Sequence, residues 1–279
     1  MKAPAMPDAF SPRKKNIARH FATADDYDQH AKIQQQVCHD LLNNIGHTQQ
    51  ESVLEIGAGT GQMTRLLAAN IQSQHWMINE LCAERTTILQ SILPTANILI
   101  GDAETVQLSV DSNLIKPNLI KHSLIVSANA VQWFDNPLSL IKQSAKCLQV
   151  GGQLLFNTFT PDNFLQIKQL TGQGLHYPDS NEWQSALKEA GFEKIVLSTQ
   201  RFEVPFATPY AVLKHMKLTG VSTNQTQAPS SNRQPFIWTK SRLKQFEQDY
   251  WQQFSELDKN GQPYVNLTYD VLMVSAFKA

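Results

Sequence analysis

Residues 53–68 read VLEIGAGTGQMTRLLA. A short apolar run passes through Glu55, then Gly57, Gly59 and Gly61, and a helix-forming stretch opens near Gly61. Glycines let a backbone turn tightly and come close to a ligand, and a helix start offers free N–H groups to a polar or anionic group. The chemistry implied is the holding of a nucleotide-like ligand. The spacing G-x-G-x-G places Gln62 where the third glycine of a dinucleotide fingerprint would fall, and no Gly-Lys-Ser/Thr of a phosphate loop follows. Two acids sit in comparable places further on. Glu80 follows the apolar run HWMIN, and Asp102, in Gly101-Asp102-Ala103-Glu104, follows NILI. A fourth apolar run, SLIVS, gives way to SANAVQWFDNP, an unusual change to small, amide and aromatic residues. The eight His residues show no short HxxxH spacing, so no metal site is expected.

These groups need a scaffold that aligns the ends of successive strands. Strand-like runs are SVLEI (52–56), HWMIN (75–79), NILI (97–100), SLIVS (123–127), QLLFNTF (153–159), KIVLSTQ (194–200) and TYDVLMVSAF (268–277). The first five are short and apolar, as in parallel strands buried on both faces. Between them lie helix-like stretches: QMTRLLAAN, CAERTTILQSIL, PLSLIKQSAKCLQ ended by Gly151-Gly152, and NEWQSALKEAG ended by Gly191. This alternation predicts an α/β fold, a Rossmann-like seven-stranded, mostly parallel sheet with helices on both faces. Ligands of such sheets bind outside the carboxyl ends of the strands, where the glycines, Glu80, Asp102 and SANAVQW all fall.

Two segments break the rhythm. Residues 1–45 form an N-terminal arm, helical from residue 14, and 201–266 form a helical insertion before the last strand. The insertion holds YAVLKHMKL and KSRLKQFEQDYWQQFSELDK, separated by the polar STNQTQAPSSNRQP. Residues 46–200 and 267–279 are then the ligand-binding α/β domain.

With 24 basic and 24 acidic residues the formal charge is zero, which argues against a general nucleic-acid binder. Charge is nonetheless uneven: Arg13, Lys14 and Lys15 cluster in the arm, and Arg201, Lys214, Lys217, Arg233, Lys240, Arg242 and Lys244 face Glu203 alone across 201–244. Each segment is either a solvated face or a dock for an acidic partner. Cys38, Cys82 and Cys147 are few, distant and odd in number, which suits a reducing compartment. No stretch approaches the ~18 apolar residues of a spanning helix, and the first residues lack the apolar core of a signal peptide, so a cytoplasmic protein without membrane contact is expected.

The glycine motif with Glu80 and Asp102 resembles class I S-adenosylmethionine-dependent methyltransferases. Narrower features are similar to the malonyl-acyl carrier protein O-methyltransferase family of biotin synthesis: FATADDYDQHAKIQ (21–34), SANAVQW (127–133), LKHMKLTGV (213–221) and NLTYDVLMVSA (266–276). Where that family has Asn after the strand-end Ser, this chain has Ala128 and carries the amide at Asn129; it also enters the fourth strand with His122 rather than an Asp.

The resemblance implies a class I methyltransferase fold. It implies methyl transfer from S-adenosyl-L-methionine, leaving S-adenosyl-L-homocysteine, to the free carboxylate of malonyl-loaded acyl carrier protein, with no metal. The implied cofactor residues are Glu55, Gly57, Ala58, Gly59, Gly61, Glu80, Leu81, Asp102, Ala103, Ser127 and Ala128; Gln132 and Trp133 form a wall facing the acceptor. Arg201 and Lys217 are candidates to hold the malonyl carboxylate, and Tyr27 is a candidate lid residue. The basic stretch 201–244 would steer the acidic carrier. A methyltransferase for another small carboxylic acid and a non-catalytic cofactor-binding protein are the alternatives.

Overall fold

The computed structural model describes residues 10–22, 27–108, 121–219 and 237–279. They form two compact units. The first holds the described residues up to Thr158 together with Pro178–Ser198 and Leu272–Ala279; the second holds Phe159–Tyr177 and the described part of Thr199–Val271.

The arm is helical, as α1 (Pro12–Ala22), a single turn α2 (Tyr27–His30) and α3 (Lys32–Asn43). The chain then alternates β1 (Gln49–Ile56), α4 (Gln62–Asn70), β2 (Gln72–Glu80), a 3-10 turn leading to α5 (Thr86–Ile92), and β3 (Asn97–Ile100). After it come β4 (His122–Ser127), α6 (Ser139–Cys147), β5 (Leu148–Phe159), α7 (Leu165–Thr171), α8 (Ser180–Glu189) and β6 (Phe192–Phe206). The remainder is α9 (Pro209–Leu218), α10 (Lys240–Phe254), β7 (Ser255–Leu257) and β8 (Pro263–Lys278).

The sheet order is β3-β2-β1-β4-β5-β8-β6, with β7 on the flank of β8. β1 pairs in parallel with both β2 and β4, β2 with β3, and β4 with β5. The chain therefore steps outward from β1 to β3, then returns to the other side of β1. That reversal opens a crevice at the carboxyl ends of β1 and β4, the place where sheets of this kind bind ligands.

The strands are anchored by their apolar residues. In β1 the last five residues are buried while the first three reach toward solvent, so its rigid end is the one that carries Glu55 and the glycine turn. Leu54, Ile56, Ile125, Leu154, Phe156, Trp183 and Leu187 belong to one core. Trp183 of α8 is fully buried, and its ring centroid lies 5.0 Å from that of Phe156. α8 starts on a reciprocal cap: Asp179 accepts from the Glu182 N–H at 2.9 Å, and the Glu182 carboxylate accepts from the Asp179 N–H at 2.8 Å.

Three local expectations are corrected. Gly151-Gly152 does not end α6, which stops at Cys147; the pair lies inside β5. There His122 pairs with Leu148 but Leu124 pairs with Gln153, so the strand bulges, and Gly151 takes φ 76° to permit it. Among the described residues of 201–266 the two expected helices form, but strand occupies both ends. β6 runs on to Phe206 with every second residue half-buried, the period of a strand, and β7 and the start of β8 occupy the other end. α7 was not anticipated at all.

In the second unit α9 and α10 carry Thr208 and Thr239 as hydroxyl caps, accepting from the N–H groups of Ala211 at 3.1 Å and Arg242 at 3.2 Å. Tyr269 is fully buried among Phe159, Phe164 and His215. Among the described residues no helix is long and apolar enough to cross a membrane.

Candidate functional site

Gly57, Gly59 and Gly61 all have positive φ, at 74°, 56° and 82°, but for different reasons. A Cβ on Gly57 would lie 2.4 Å from the Ala130 Cβ, and one on Gly61 would lie 2.5 Å from Ile92 Cδ1. Those two glycines allow the β1 end to meet the β4 end, and α4 to meet α5. A Cβ on Gly59 would meet nothing within 4 Å. Its neighbours leave open space, and that space is the crevice.

The turn is held from below by β2. The N–H groups of Gly57 and Ala58 donate to the Asn79 carbonyl at 2.9 and 3.2 Å. Glu80 accepts from the Gly59 N–H at 2.7 Å with Oε2 and from the Cys82 N–H at 2.8 Å with Oε1. Each carboxylate oxygen keeps acceptor capacity for a ligand.

The crevice, about 920 Å³ including its open mouth, lies entirely in the first unit. Glu55, Gly57, Ala58 and Gly59 line it from β1 and its turn, and Glu80 and Leu81 from β2. Asp102 and Ala103 line it after β3, Ala128 and Trp133 after β4. The structure thus brings ten of the anticipated residues to one cavity. Gly61 caps α4 outside the lining. Ser127 spends its hydroxyl on the Ile56 carbonyl at 3.0 Å, and the buried Gln132 donates its amide to the Asn129 carbonyl at 2.7 Å.

Arg201 and Lys217 belong to the second unit. The Arg201 guanidinium is half-exposed and donates to Asp270 at 3.0 Å and Asp162 at 3.2 Å. Lys217 is exposed in the last turn of α9. Tyr27 opens α2, and its side chain lies outside the described residues, as do Gly220 and the loop 222–235.

Other lining residues are not among those anticipated. Lys14, Ile17 and Phe21 of α1 close one side of the crevice, and Cys38 of α3 and Asn129 contribute to it. The arm is fastened there: Arg13 donates to the carbonyls of Trp133 at 3.0 Å and Phe134 at 3.1 Å and pairs with Asp135 at 2.9 Å. Lys14 pairs with both Asp102 and Glu104, and the rings of Phe21 and Trp133 meet edge to face at 5.5 Å. Lys14 is therefore neither solvated nor available to an acidic partner; it is 3% exposed. Asn129 takes φ 53° and exchanges bonds with Asn157, accepting at 3.0 Å and donating its N–H at 2.7 Å. Its amide also donates to the Gln34 carbonyl at 3.1 Å.

The electrostatics favour a ligand with a positive end. Burial pushes the Glu55 carboxyl up to about 7, with the charge of Glu80 adding to the shift, and Glu55 Oε2 has no hydrogen-bond partner. Burial also raises Glu80, opposed by the N–H groups of Cys82 and Gly59. At the other end of the sheet His122 is committed, bonding Ser52 Oγ and the Leu108 carbonyl at 2.9 Å each. Among the described residues no group of His, Cys, Asp and Glu is arranged to hold a metal ion.

A methyltransferase domain family matches residues 29–197. A malonyl-[acyl-carrier protein] O-methyltransferase of Haemophilus ducreyi is 36% identical over 276 residues, covering 95% of this chain and 97% of that one. Its counterpart from Porphyromonas gingivalis is 34% identical, covering 92% of each. Among solved structures, the YcgJ protein of Bacillus subtilis shares the fold at a TM-score of 0.56 and 15% identity, covering 87% of this chain and 98% of that one. The N-methyltransferase NodS of Bradyrhizobium japonicum, solved with S-adenosyl-L-homocysteine, does so at 0.50 and 13%, covering 96% and 99%.

Proposed function

We propose that this chain, which belongs to the malonyl-[acyl-carrier protein] O-methyltransferase family, methylates the free carboxylate of a malonyl group carried on acyl carrier protein, giving a methyl ester for biotin synthesis. The observation that carries this reading is 36% identity extending over 95% of the chain, the arm and the second unit included. The enzyme is S-adenosyl-L-methionine dependent, and S-adenosyl-L-homocysteine is the product.

The residues present fit that cofactor. Glu55 offers an unpartnered buried carboxylate oxygen, Gly59 leaves open space, and Ile17, Phe21 and Phe134 supply apolar walls for a flat ring. Glu55 and the glycine turn would hold the amino-acid end, Glu80 the ribose hydroxyls, and Asp102 the amine of the base. Leu81, Ala58, Ala103 and Ala128 would pack against the nucleoside, with Gly61 and Ser127 supporting the turn and the strand end. When bound, the cofactor supplies a methyl group on a positively charged sulfur.

What remains for the protein is positioning. A malonyl carboxylate is ionised near neutral pH, because ordinary carboxyl groups titrate near ~4, so no general base is needed. Holding the nucleophile in line and excluding water are the main sources of acceleration. We assign Gln132 and Trp133 to the acceptor wall, Tyr27 to the lid, and the segment 201–266 to acceptor recognition. Both cations proposed for the malonyl carboxylate are exposed, and the Arg201 fork already serves Asp270 and Asp162. The exposed Lys214, Lys217, Lys240 and Lys244 on α9 and α10 would meet the acidic carrier in the cytoplasm.

The test is transfer of radiolabelled methyl from the cofactor to malonyl-acyl carrier protein, against malonyl-coenzyme A and unacylated carrier. Label on the carrier's malonyl ester, falling with ionic strength, is expected. Equal labelling of small carboxylic acids would overturn the assignment of acceptor, and salt-independent turnover would remove the basic rim. Lys217→Ala should raise KM for the malonyl substrate with little change in KM for the cofactor.

A further inference from the structure

Lys14 is the least expected charge in the molecule. It lies in the run Arg13-Lys14-Lys15, yet it is 3% exposed, and its side chain lines the crevice. A lysine is almost never so buried unless paired. Its ammonium sits between the carboxylates of Asp102 and Glu104 and 5.6 Å from the centre of the Phe134 ring.

The two acids differ in their freedom. Glu104 is engaged on every side: Oε2 also accepts from the Asp135 N–H at 2.7 Å, and Oε1 from the Asn136 N–H at 2.9 Å and Ser139 Oγ at 3.0 Å. It is fixed to the loop that follows β4. Asp102 has one local anchor, the Glu104 N–H at 3.0 Å on Oδ1; its Oδ2 is turned to Lys14. Without the ammonium, two like charges would face each other, and Asp102 is the one able to turn away.

We infer that Lys14 is a positioning residue for recognition of the cofactor's base: it holds the Asp102 carboxylate toward the crevice as an acceptor for the exocyclic amine. Because Lys14 rides on α1, the same bond makes base recognition depend on the arm being docked. This rests on the reading of Asp102 given above. A carboxylate held in place accepts from the amine of adenine and repels the carbonyl oxygen that hypoxanthine carries at the same position. The selectivity between these two bases therefore reports Lys14 separately from the overall strength of binding.

The experiment is calorimetric binding of S-adenosylhomocysteine and its deaminated form, S-inosylhomocysteine, to the full chain. The unaltered protein should prefer the adenine compound by about 30-fold or more, as sites built to pair a polar group reject analogues that leave it unpaired. In Lys14→Met that preference should fall at least about tenfold, Lys14→Arg should restore part of it, and Lys14→Met should add nothing in an Asp102→Asn background. A folded Lys14→Met protein with an unchanged preference overturns the inference alone. No binding of S-adenosylhomocysteine to the unaltered protein would sink the cofactor reading and take the inference with it. If Lys14→Met does not fold, the unaltered protein decides: saturating S-adenosylhomocysteine should shield the arm from trypsin more than saturating S-inosylhomocysteine does, and equal shielding overturns the inference.

Discussion

Replacing Gly57 by alanine separates two costs that the structure places on one residue. A non-glycine residue at φ 74° is in the left-handed region, at about 1–2 kcal/mol. The added Cβ would also stand 2.4 Å from the Ala130 Cβ, where ordinary carbon contacts are about 3.5–4.0 Å, so the β1 and β4 ends must part by more than ~1 Å. Overpacking of that kind costs about 1–3 kcal/mol. The sum, about 2–5 kcal/mol, is a large share of the roughly 5–15 kcal/mol that holds a typical protein folded. Gly59→Ala bears only the first cost, about 1–2 kcal/mol, since nothing lies within 4 Å of its added carbon. Urea unfolding of Gly57→Ala, Ala130→Gly and the double variant should show a favourable coupling of about 1–3 kcal/mol, because removing the Ala130 methyl relieves the clash and leaves the strain. Gly59→Ala should instead lose affinity for S-adenosylhomocysteine out of proportion to its stability. Coupling below about 0.5 kcal/mol, the scatter of independent sites, would refute the account of why Gly57 is glycine.

Three further outcomes follow from the geometry. Glu55 is held at about 7 against an ordinary 4.5, so the folded chain keeps a proton that the unfolded chain has released. Stability should fall as pH rises from 4.5 to about 7, by up to about 3 kcal/mol from this group. Urea titrations at pH 5 and pH 8 should show Glu55→Gln flattening the fall, leaving the part due to Glu80; an unaltered slope would assign the proton elsewhere. Asn129 at φ 53° should tolerate Gly better than Ala, by about 1 kcal/mol in thermal melts, because both lose the bond from the Asn157 amide and only Ala keeps the strain. Asp179→Ala removes the reciprocal cap of α8 and should cost about 1 kcal/mol, or about 2–4 °C in Tm; an unshifted Tm would show that the cap contributes nothing to the first unit.

The half of the site nearest the glycines was legible because its signals are local. An apolar run, a glycine turn and a helix start are adjacent in the chain, and the acids at Glu80 and Asp102 each follow their own strand. Residues whose role depends on a distant partner were not legible. Lys14 meets Asp102 and Glu104 from 88 and 90 positions away, and nothing in a run of three cations separates the buried one from its neighbours. Ser127 Oγ and Gln132 Nε2 are suited to a ligand, yet they serve the carbonyls of Ile56 and Asn129. Gly151-Gly152 misleads because a helix stop and a strand bulge make the same demand, a residue free to take positive φ. α7 is seven residues long and starts from Phe164 at φ 55°, so it has neither the length for a periodic pattern nor a customary start signal.

The clasp of α1 over the crevice has a consequence for the order in which the molecule is made. The arm leaves the ribosome before the segments that fasten it: Cys82 bonds the Ala18 carbonyl from 64 positions on, and Ser11 meets Asp135 from 124. At about 5–20 residues per second, Ser11 waits roughly 6–25 s for Asp135. Over the first part of that interval, before Cys82 is made, Ala18, buried in the finished fold, lacks that partner. A chain stopped before Gln132 would carry the glycine turn, Glu80 and Asp102, yet lack Trp133, Phe134 and Asp135, to which Arg13 is tied. Completion of the crevice thus reports that translation has passed the fourth strand.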